Sequence, residues 1–133
     1  MEWPEGLDNE ILARNRESLE NRIQKIKSND VMEVRNIASE AINRGLPEIR
    51  LKVYVVADRI EDAKDIAGDT GMEKELVEIL LEMSLKRRGR RMRKYRSQAA
   101  ELIDEYNMHP FALSYLKETD RKRTKLYKML EQP

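Results

Sequence analysis

The stretch that decides the fold class is PEIRLKVYVVADRIEDAKDIA, residues 47–67. Residues 51–56 are rich in β-branched and aromatic side chains, and taken alone they are compatible with a strand. The longer stretch favours a helix, because its apolar residues recur at intervals of four, three, four and three through intervening polar residues. These residues are Ile49, Val53, Val56, Ile60 and Ala63. We therefore predict one helix from Pro47 to about Ala67, with proline in its first turn.

The preceding residues also have a helical pattern. Asp8 is positioned to cap a first helix, and the turn Ser28-Asn29-Asp30 to separate it from a second. Gly45 is positioned to end that second helix. Between Leu51 and Val55, further apolar residues lie outside the helical repeat of Ile49, Val53 and Val56. They indicate that the third helix is buried centrally or covered by a partner.

The longest helical pattern runs from Glu73 to about Tyr106, with Gly89 near its middle as a position where it kinks or divides. Asn107-Met108-His109-Pro110 ends this pattern, since the residue before proline is driven out of the helical region. A last pattern covers residues 111–130. The sequence as a whole predicts an all-α fold of five to six helices, consisting of helical hairpins and a long basic helix.

The charges divide the chain into two parts. Residues 1–82 contain 19 acidic and 12 basic residues, a net charge of −7, whereas residues 83–133 contain 6 acidic and 14 basic residues, a net charge of +8. We predict an acidic helical domain over residues 8–67, which supplies the core and self-association, and a basic helical part over residues 72–133. Opposite charges on two parts of one chain favour a homo-oligomer or a polyanionic partner.

One segment has a pronounced functional pattern, the basic segment Lys86–Arg96, with eight cations in eleven residues. Cations three and four positions apart on a helix repel each other, and a polyanion relieves that repulsion while releasing its own counterions. Six of the eight are arginines, whose planar fork matches phosphate geometry. Tyr95 is a candidate for stacking on a base. We predict non-enzymatic binding of DNA or RNA by Lys86, Arg87, Arg88, Arg90, Arg91, Arg93, Lys94, Arg96, Arg121, Lys122 and Arg123.

Two other partners are compatible with the same segment. The cations pair with the acidic surface of residues 58–82, in the same or a neighbouring subunit, or they bind a membrane surface or another anion. The alternative function is therefore a helical adaptor whose basic helix docks on an acidic protein. Strong weakening by salt distinguishes phosphate binding from docking through an apolar seam.

The sequence lacks the common signatures of catalysis and cofactor binding. There is no cysteine, the single histidine is His109, and the five glycines match no phosphate-binding loop. The acidic residues between Asp58 and Glu73 do not fit a calcium loop, because Lys64 and Ala67 occupy positions that need an oxygen ligand and glycine. We expect no enzymatic activity, no cofactor, no metal site and no small-molecule substrate. The absence of a signal peptide and of a long apolar stretch predicts a cytoplasmic protein without a membrane partner.

Overall fold

A computed structural model describes residues 7–27, 29–86, 89–118 and 128 of the chain. The all-α class is confirmed over these residues, which contain no strand, so residues 50–57 are not part of a sheet. Seven helices are present in the described part of the chain, more than the five to six predicted. They are α1 (Leu7–Gln24), α2 (Val31–Asn43), α3 (Pro47–Val56), α4 (Ile60–Thr70), α5 (Glu73–Lys86), α6 (Arg90–Glu105) and α7 (His109–Glu118).

The chain divides into two compact units, unit 1 (Met1–Gly71) and unit 2 (Met72–Pro133). The sequence signals for α2 are confirmed in unit 1. The Asp30 side chain accepts a hydrogen bond of 3.4 Å from the backbone N–H of Glu33, which caps the helix. Gly45 follows the helix with a φ of +73°, the left-handed conformation that favours glycine.

The single helix predicted over residues 47–67 is wrong, because two helices occupy this range. Pro47 starts α3 as predicted, but α3 ends at Val56 and α4 begins at Ile60. Between them Asp58 has a φ of +64°. The backbone N–H of Arg59 donates to the carbonyl of Tyr54 at 2.8 Å, which satisfies a carbonyl left free at the end of α3. The apolar spacing nevertheless continues through this break, with Ile49 and Val53 buried on α3 and Ala63 buried on α4.

The core of unit 1 forms where α1, α2 and α3 pack together. Its buried cluster consists of Leu19, Ile23, Val34, Ile37, Ala38, Ala41, Leu46, Ile49, Val53 and Ala57. Leu51 and Val55, on the other side of α3, are buried as well. The apolar excess that suggested a centrally buried helix is therefore accommodated without a partner chain.

Polar pairs supplement this core by joining α1 to the other two helices. Arg22 binds both Glu33, at 2.7 Å, and Glu40 on α2. Lys52 Nζ on α3 lies 3.0 Å from Glu20 Oε1. These pairs are partly exposed, so each stabilises the packing by only about 0.2–1 kcal/mol.

The long helix predicted over residues 73–106 is also divided, at the glycine that the sequence offered as a break. Gly89 has a φ of +70° and a ψ of −136°, a conformation essentially restricted to glycine. It precedes α6, and α5 ends three residues earlier at Lys86. The helices that flank it pack against each other and bury Leu76 and Leu80 on α5 and Ala99 and Ile103 on α6.

The contacts that α7 makes show how the three helices of unit 2 run relative to one another. Lys74 Nζ, at the start of α5, lies 4.8 Å from the ring centroid of Phe111, at the start of α7. The hydroxyl of Tyr115, one turn later on α7, donates a hydrogen bond to Glu82. Because α7 begins four residues after α6 ends, the end of α6 lies beside the start of α5. Helices α5 and α6 are therefore antiparallel, and α7 runs in the direction of α5.

Candidate functional site

The basic segment lies at one end of the antiparallel hairpin that α5 and α6 form. Lys86 is the last residue of α5, and Arg90 is the first residue of α6. Arg87 and Arg88 lie outside the described residues. The described cations of this segment thus belong to the end of one helix and the beginning of the next, not to a single continuous helix. This end of the hairpin, formed by the described residues 86 and 89–96, is called the basic tip below.

Packing of α6 decides which side chains of the basic tip reach solvent. Arg90, Arg91, Arg93 and Lys94 are exposed, and Arg96 is half-buried. Tyr95 is only 5% exposed, on the same face as Ala99 and Leu102. The prediction that Tyr95 stacks on a base is therefore wrong, because its ring is buried within the fold. The cations cover the rest of the helix circumference.

The electrostatics at the start of α6 are unfavourable to the folded chain. The N-terminal end of a helix carries a partial positive charge, and cations placed there destabilise it. The first turn of α6 contains no acidic residue, and Gly89, its N-cap, offers no side-chain capping bond. Arg90, Arg91 and Arg93 therefore oppose the helix dipole. A bound anion would reverse this penalty, since anions bind favourably at helix N-termini.

The carboxylate of Glu82 lies close to the basic tip. Lys86 Nζ lies 3.9 Å from Glu82 Oε2, and 69% of the lysine side chain is exposed. Among the residues that the structure describes, Arg90, Arg91 and Arg93 form no ion pair. Of the predicted pairing of the cations with acidic residues 58–82, the described contact between Lys86 and Glu82 is one instance, and these two residues are neighbours on one helix.

Two acidic residues of the segment 58–82, both on α4, lie near a cation of the same helix or of its N-cap. Asp62 lies 3.7 Å from Arg59, and Glu61 lies 3.9 Å from Lys64. Both distances are long for a direct hydrogen bond, and the acidic side chains are largely exposed. These contacts neutralise the acidic surface of α4 locally and weakly.

Sequence reasoning missed the polarity of unit 2. Acidic residues Glu101, Asp104 and Glu105 occupy the last turns of α6, and Glu73 and Glu75 occupy the first turn of α5. In the antiparallel hairpin these positions lie at the end opposite the basic tip. This polarity can be recognised in the sequence of α6 when the charges at its two ends are counted separately instead of being added together. The described charges of α5 and α6 are therefore mainly basic at one end of the hairpin and mainly acidic at the other.

The same acidic end merges into a row of carboxylates along α5. Burial, followed by repulsion from Glu75, raises the pKa of Glu78; Lys74 lowers it by less, and Glu82 raises it by the smallest amount. Glu82 accepts the hydrogen bond of Tyr115 and therefore helps to hold α7. Glu82 is thus the member of this row that contacts α7 through a described hydrogen bond.

The second basic cluster predicted to extend the site, Arg121, Lys122 and Arg123, lies outside the described residues. Helix α7 ends at Glu118, after running in the direction of α5 towards the basic tip. Lys128, the one described residue beyond it, is exposed. Participation of the second cluster stays a prediction.

The described residues contain no group of three His, Asp or Glu side chains placed to hold a metal ion. His109 is the half-buried first residue of α7. None of the described helices is both long enough and apolar enough to cross a membrane.

Comparison of the chain with models of protein families, with curated proteins and with solved structures finds no match.

Proposed function

We propose that this protein binds nucleic acid without enzymatic activity, through the basic tip of unit 2, as a small regulatory, packaging or nucleoprotein-type factor. The observation that carries the proposal is the placement of Arg90, Arg91 and Arg93. They are exposed, they are not ion-paired with described carboxylates, and they stand at the end of a helix where cations are unfavourable. Folding alone gives no advantage to that arrangement, whereas binding of a polyanion does.

Binding would proceed through the phosphate backbone. Each arginine presents a planar fork of donors that forms paired hydrogen bonds with phosphate oxygens. The free N–H groups in the first turn of α6 face the same end of the hairpin and favour an anion there. Association releases counterions from the nucleic acid, which supplies most of the driving force at low salt.

The expected selectivity for base sequence is weak. Base recognition needs side chains that reach base edges or aromatic rings that stack on bases, and Tyr95 is buried. The exposed side chains described in the basic tip are arginines and lysines, whose charges attract phosphates of any sequence. We therefore propose that the tip recognises the charge and spacing of phosphates in DNA or RNA.

A homo-oligomer is part of the proposal, because several basic tips on one assembly would bind a long polyanion with higher avidity than one tip. Two large apolar side chains on α1 support self-association. Ile11 is 43% exposed and Leu12 is 38% exposed, and they lie on the part of α1 that precedes its buried residues Leu19 and Ile23.

The proposal is tested by titrating fluorescent double- and single-stranded oligonucleotides with the purified chain over a range of salt concentrations. The variant replaces Arg90, Arg91 and Arg93 by glutamine, which keeps helix propensity nearly constant. We expect weaker binding and a log–log salt slope that is smaller by about 0.9 for each lost phosphate contact on duplex DNA.

A matched control replaces three exposed cations of unit 1, Arg14, Lys25 and Lys27, by glutamine, and it should leave the slope unchanged. The absence of binding by the unaltered chain at low salt would contradict the proposal. In that case an acidic protein surface becomes the expected partner of the basic tip. Unfolding of the triple variant would instead assign the cations to internal pairing.

A further inference from the structure

Unit 1 contains a cleft of about 320 Å³ that the basic tip does not involve. Its floor is apolar and aromatic, and its lining side chains come from the first turns of α2, the last turn of α3 and the body of α4. Val31, Val34, Tyr54 and Ile66 form this part of the lining. Val34 is buried and the other three are half-buried, so the floor is continuous with the core of unit 1.

Charged side chains form the rest of the lining, and their charges cancel. Arg35 and Arg59 contribute two positive charges, and Asp62 and Asp65 contribute two negative charges. Among these groups, Arg59 Nη1 lies 3.7 Å from Asp62 Oδ2. This distance exceeds that of a hydrogen bond, so both groups retain donors and acceptors for a ligand.

The backbone around the cleft is held in an uncommon conformation. Asp58 has a φ of +64°, and its neighbour Arg59 is fixed by the 2.8 Å bond from its N–H to the carbonyl of Tyr54. Two lining residues are thus tied together at the α3–α4 turn. This left-handed residue ends α3 as such residues commonly end helices, and it fixes the position of Arg59 relative to Tyr54.

We infer that this cleft binds a small zwitterion with an apolar body, of the α-amino-acid class. Its carboxylate would bind Arg35 and Arg59, and its ammonium group would bind Asp62 and Asp65. Its side chain would cover the apolar floor at Val31 and Ile66. An electroneutral lining matches a ligand without net charge, because an anion would meet two carboxylates and a cation two guanidinium groups.

The size of the cleft agrees with this class of ligand. Small-molecule sites have volumes of roughly 300–1,000 Å³, and 320 Å³ lies at the lower end of that range. An amino acid fits this space better than a nucleotide or a large cofactor. The inference is independent of nucleic-acid binding, since all lining residues belong to unit 1 and none to the basic tip.

Equilibrium dialysis of the full chain against labelled leucine, isoleucine, valine, methionine and phenylalanine tests the inference. We expect saturable binding of at least one of them at millimolar concentration or below. The N-acetyl derivative of the best ligand lacks the ammonium group. The carboxamide of the same ligand keeps the ammonium group but lacks the carboxylate. Each should compete at least about tenfold more weakly, a loss of roughly 1.4 kcal/mol.

Variants Arg35→Gln and Asp65→Asn locate the site, since both residues are exposed and their replacement leaves the core untouched. Each should weaken binding about tenfold or more, as loss of a charged hydrogen-bond partner does. The matched controls Arg14→Gln and Asp69→Asn, also exposed in unit 1, should bind like the unaltered chain. The inference is overturned by the absence of saturable binding, by equal competition from the blocked derivatives, or by unchanged affinity in both cleft variants.

Discussion

Lys86 Nζ lies 3.9 Å from Glu82 Oε2, one turn earlier on α5. This lysine is at the C-terminal end of its helix, where a cation stabilises the helix dipole. Arg90 and Arg91 follow within five residues, but they stand at the N-terminal end of α6, where the same charge is destabilising. Cations that look equivalent in the sequence therefore have opposite effects on the folded chain.

The first prediction follows from this difference. Replacing Arg90 and Arg91 by glutamine should raise the free energy of unfolding by about 0.3–1 kcal/mol for each residue at low ionic strength. Lys86→Gln, the matched control, should lower it by a few tenths of a kcal/mol, because it removes the Glu82 pair and a favourable dipole interaction. Urea unfolding followed by circular dichroism measures both, and added salt should reduce both effects. Destabilisation by the arginine replacements would show that these side chains pair with carboxylates.

A second prediction concerns two glycines at the end of α4. Gly68 lies inside the helix, whereas Gly71 ends it with a φ of +69°. No heavy atom lies within 4 Å of a Cβ built at either position, so only the backbone conformation distinguishes them. Gly68→Ala should stabilise the chain by about 0.5–1 kcal/mol. Gly71→Ala should destabilise it by roughly 1–2 kcal/mol, the cost of a left-handed residue with a Cβ. Thermal unfolding of the two variants tests both expectations. A change in stability of the same sign in both variants would contradict the assigned helix end.

The third prediction concerns pH. Burial and repulsion from Glu75 and Glu82 raise the pKa of Glu78 in the folded chain. A carboxyl group with a raised pKa lowers stability once it is ionised, and this loss disappears as pH falls below its unfolded pKa. Glu78→Gln should therefore stabilise the chain at pH 7 by a few tenths of a kcal/mol, the size of one like-charge pair on a helix. The gain should vanish near pH 4. Melting temperatures of both proteins across that interval measure it, and a gain that increases on acidification would refute the explanation.

The fourth prediction concerns self-association. Ile11 and Leu12 are exposed on α1, and their burial between copies would remove apolar surface from water. Sedimentation equilibrium should give a mass that is a multiple of 15.7 kDa, and Ile11→Gln with Leu12→Gln should shift it towards the monomer. Met32→Gln, at a residue that is 67% exposed on α2, is the control and should leave the mass unchanged. A monomer mass for the unaltered chain at high concentration and low salt would contradict the homo-oligomer.

Local features of the sequence account for much of the secondary structure. The helical period identified residues 47–56 as helix despite their β-branched side chains, and Asp30, Gly45 and Pro47 marked helix ends correctly. These signals act between residues at most about four positions apart, so they can be recognised in the sequence without a tertiary structure. The concentration of cations in residues 86–96 is likewise a property of the sequence alone.

Only the tertiary structure decided three features. These are the interruption of the helical segment at Asp58, the face of α6 that is buried, and the set of residues that surround the cleft. Aspartate adopts the left-handed conformation more readily than most residues, but few aspartates in a sequence do so, and the sequence therefore does not mark Asp58 as the end of a helix. Tyr95 is removed from the candidate interface by contacts that α6 makes in the fold. Arg35 and Asp65 are 30 positions apart, and they share a cleft because α2 and α4 both pack beside α3. Such relationships depend on side-chain packing between distant segments, which local periodicity and charge do not encode.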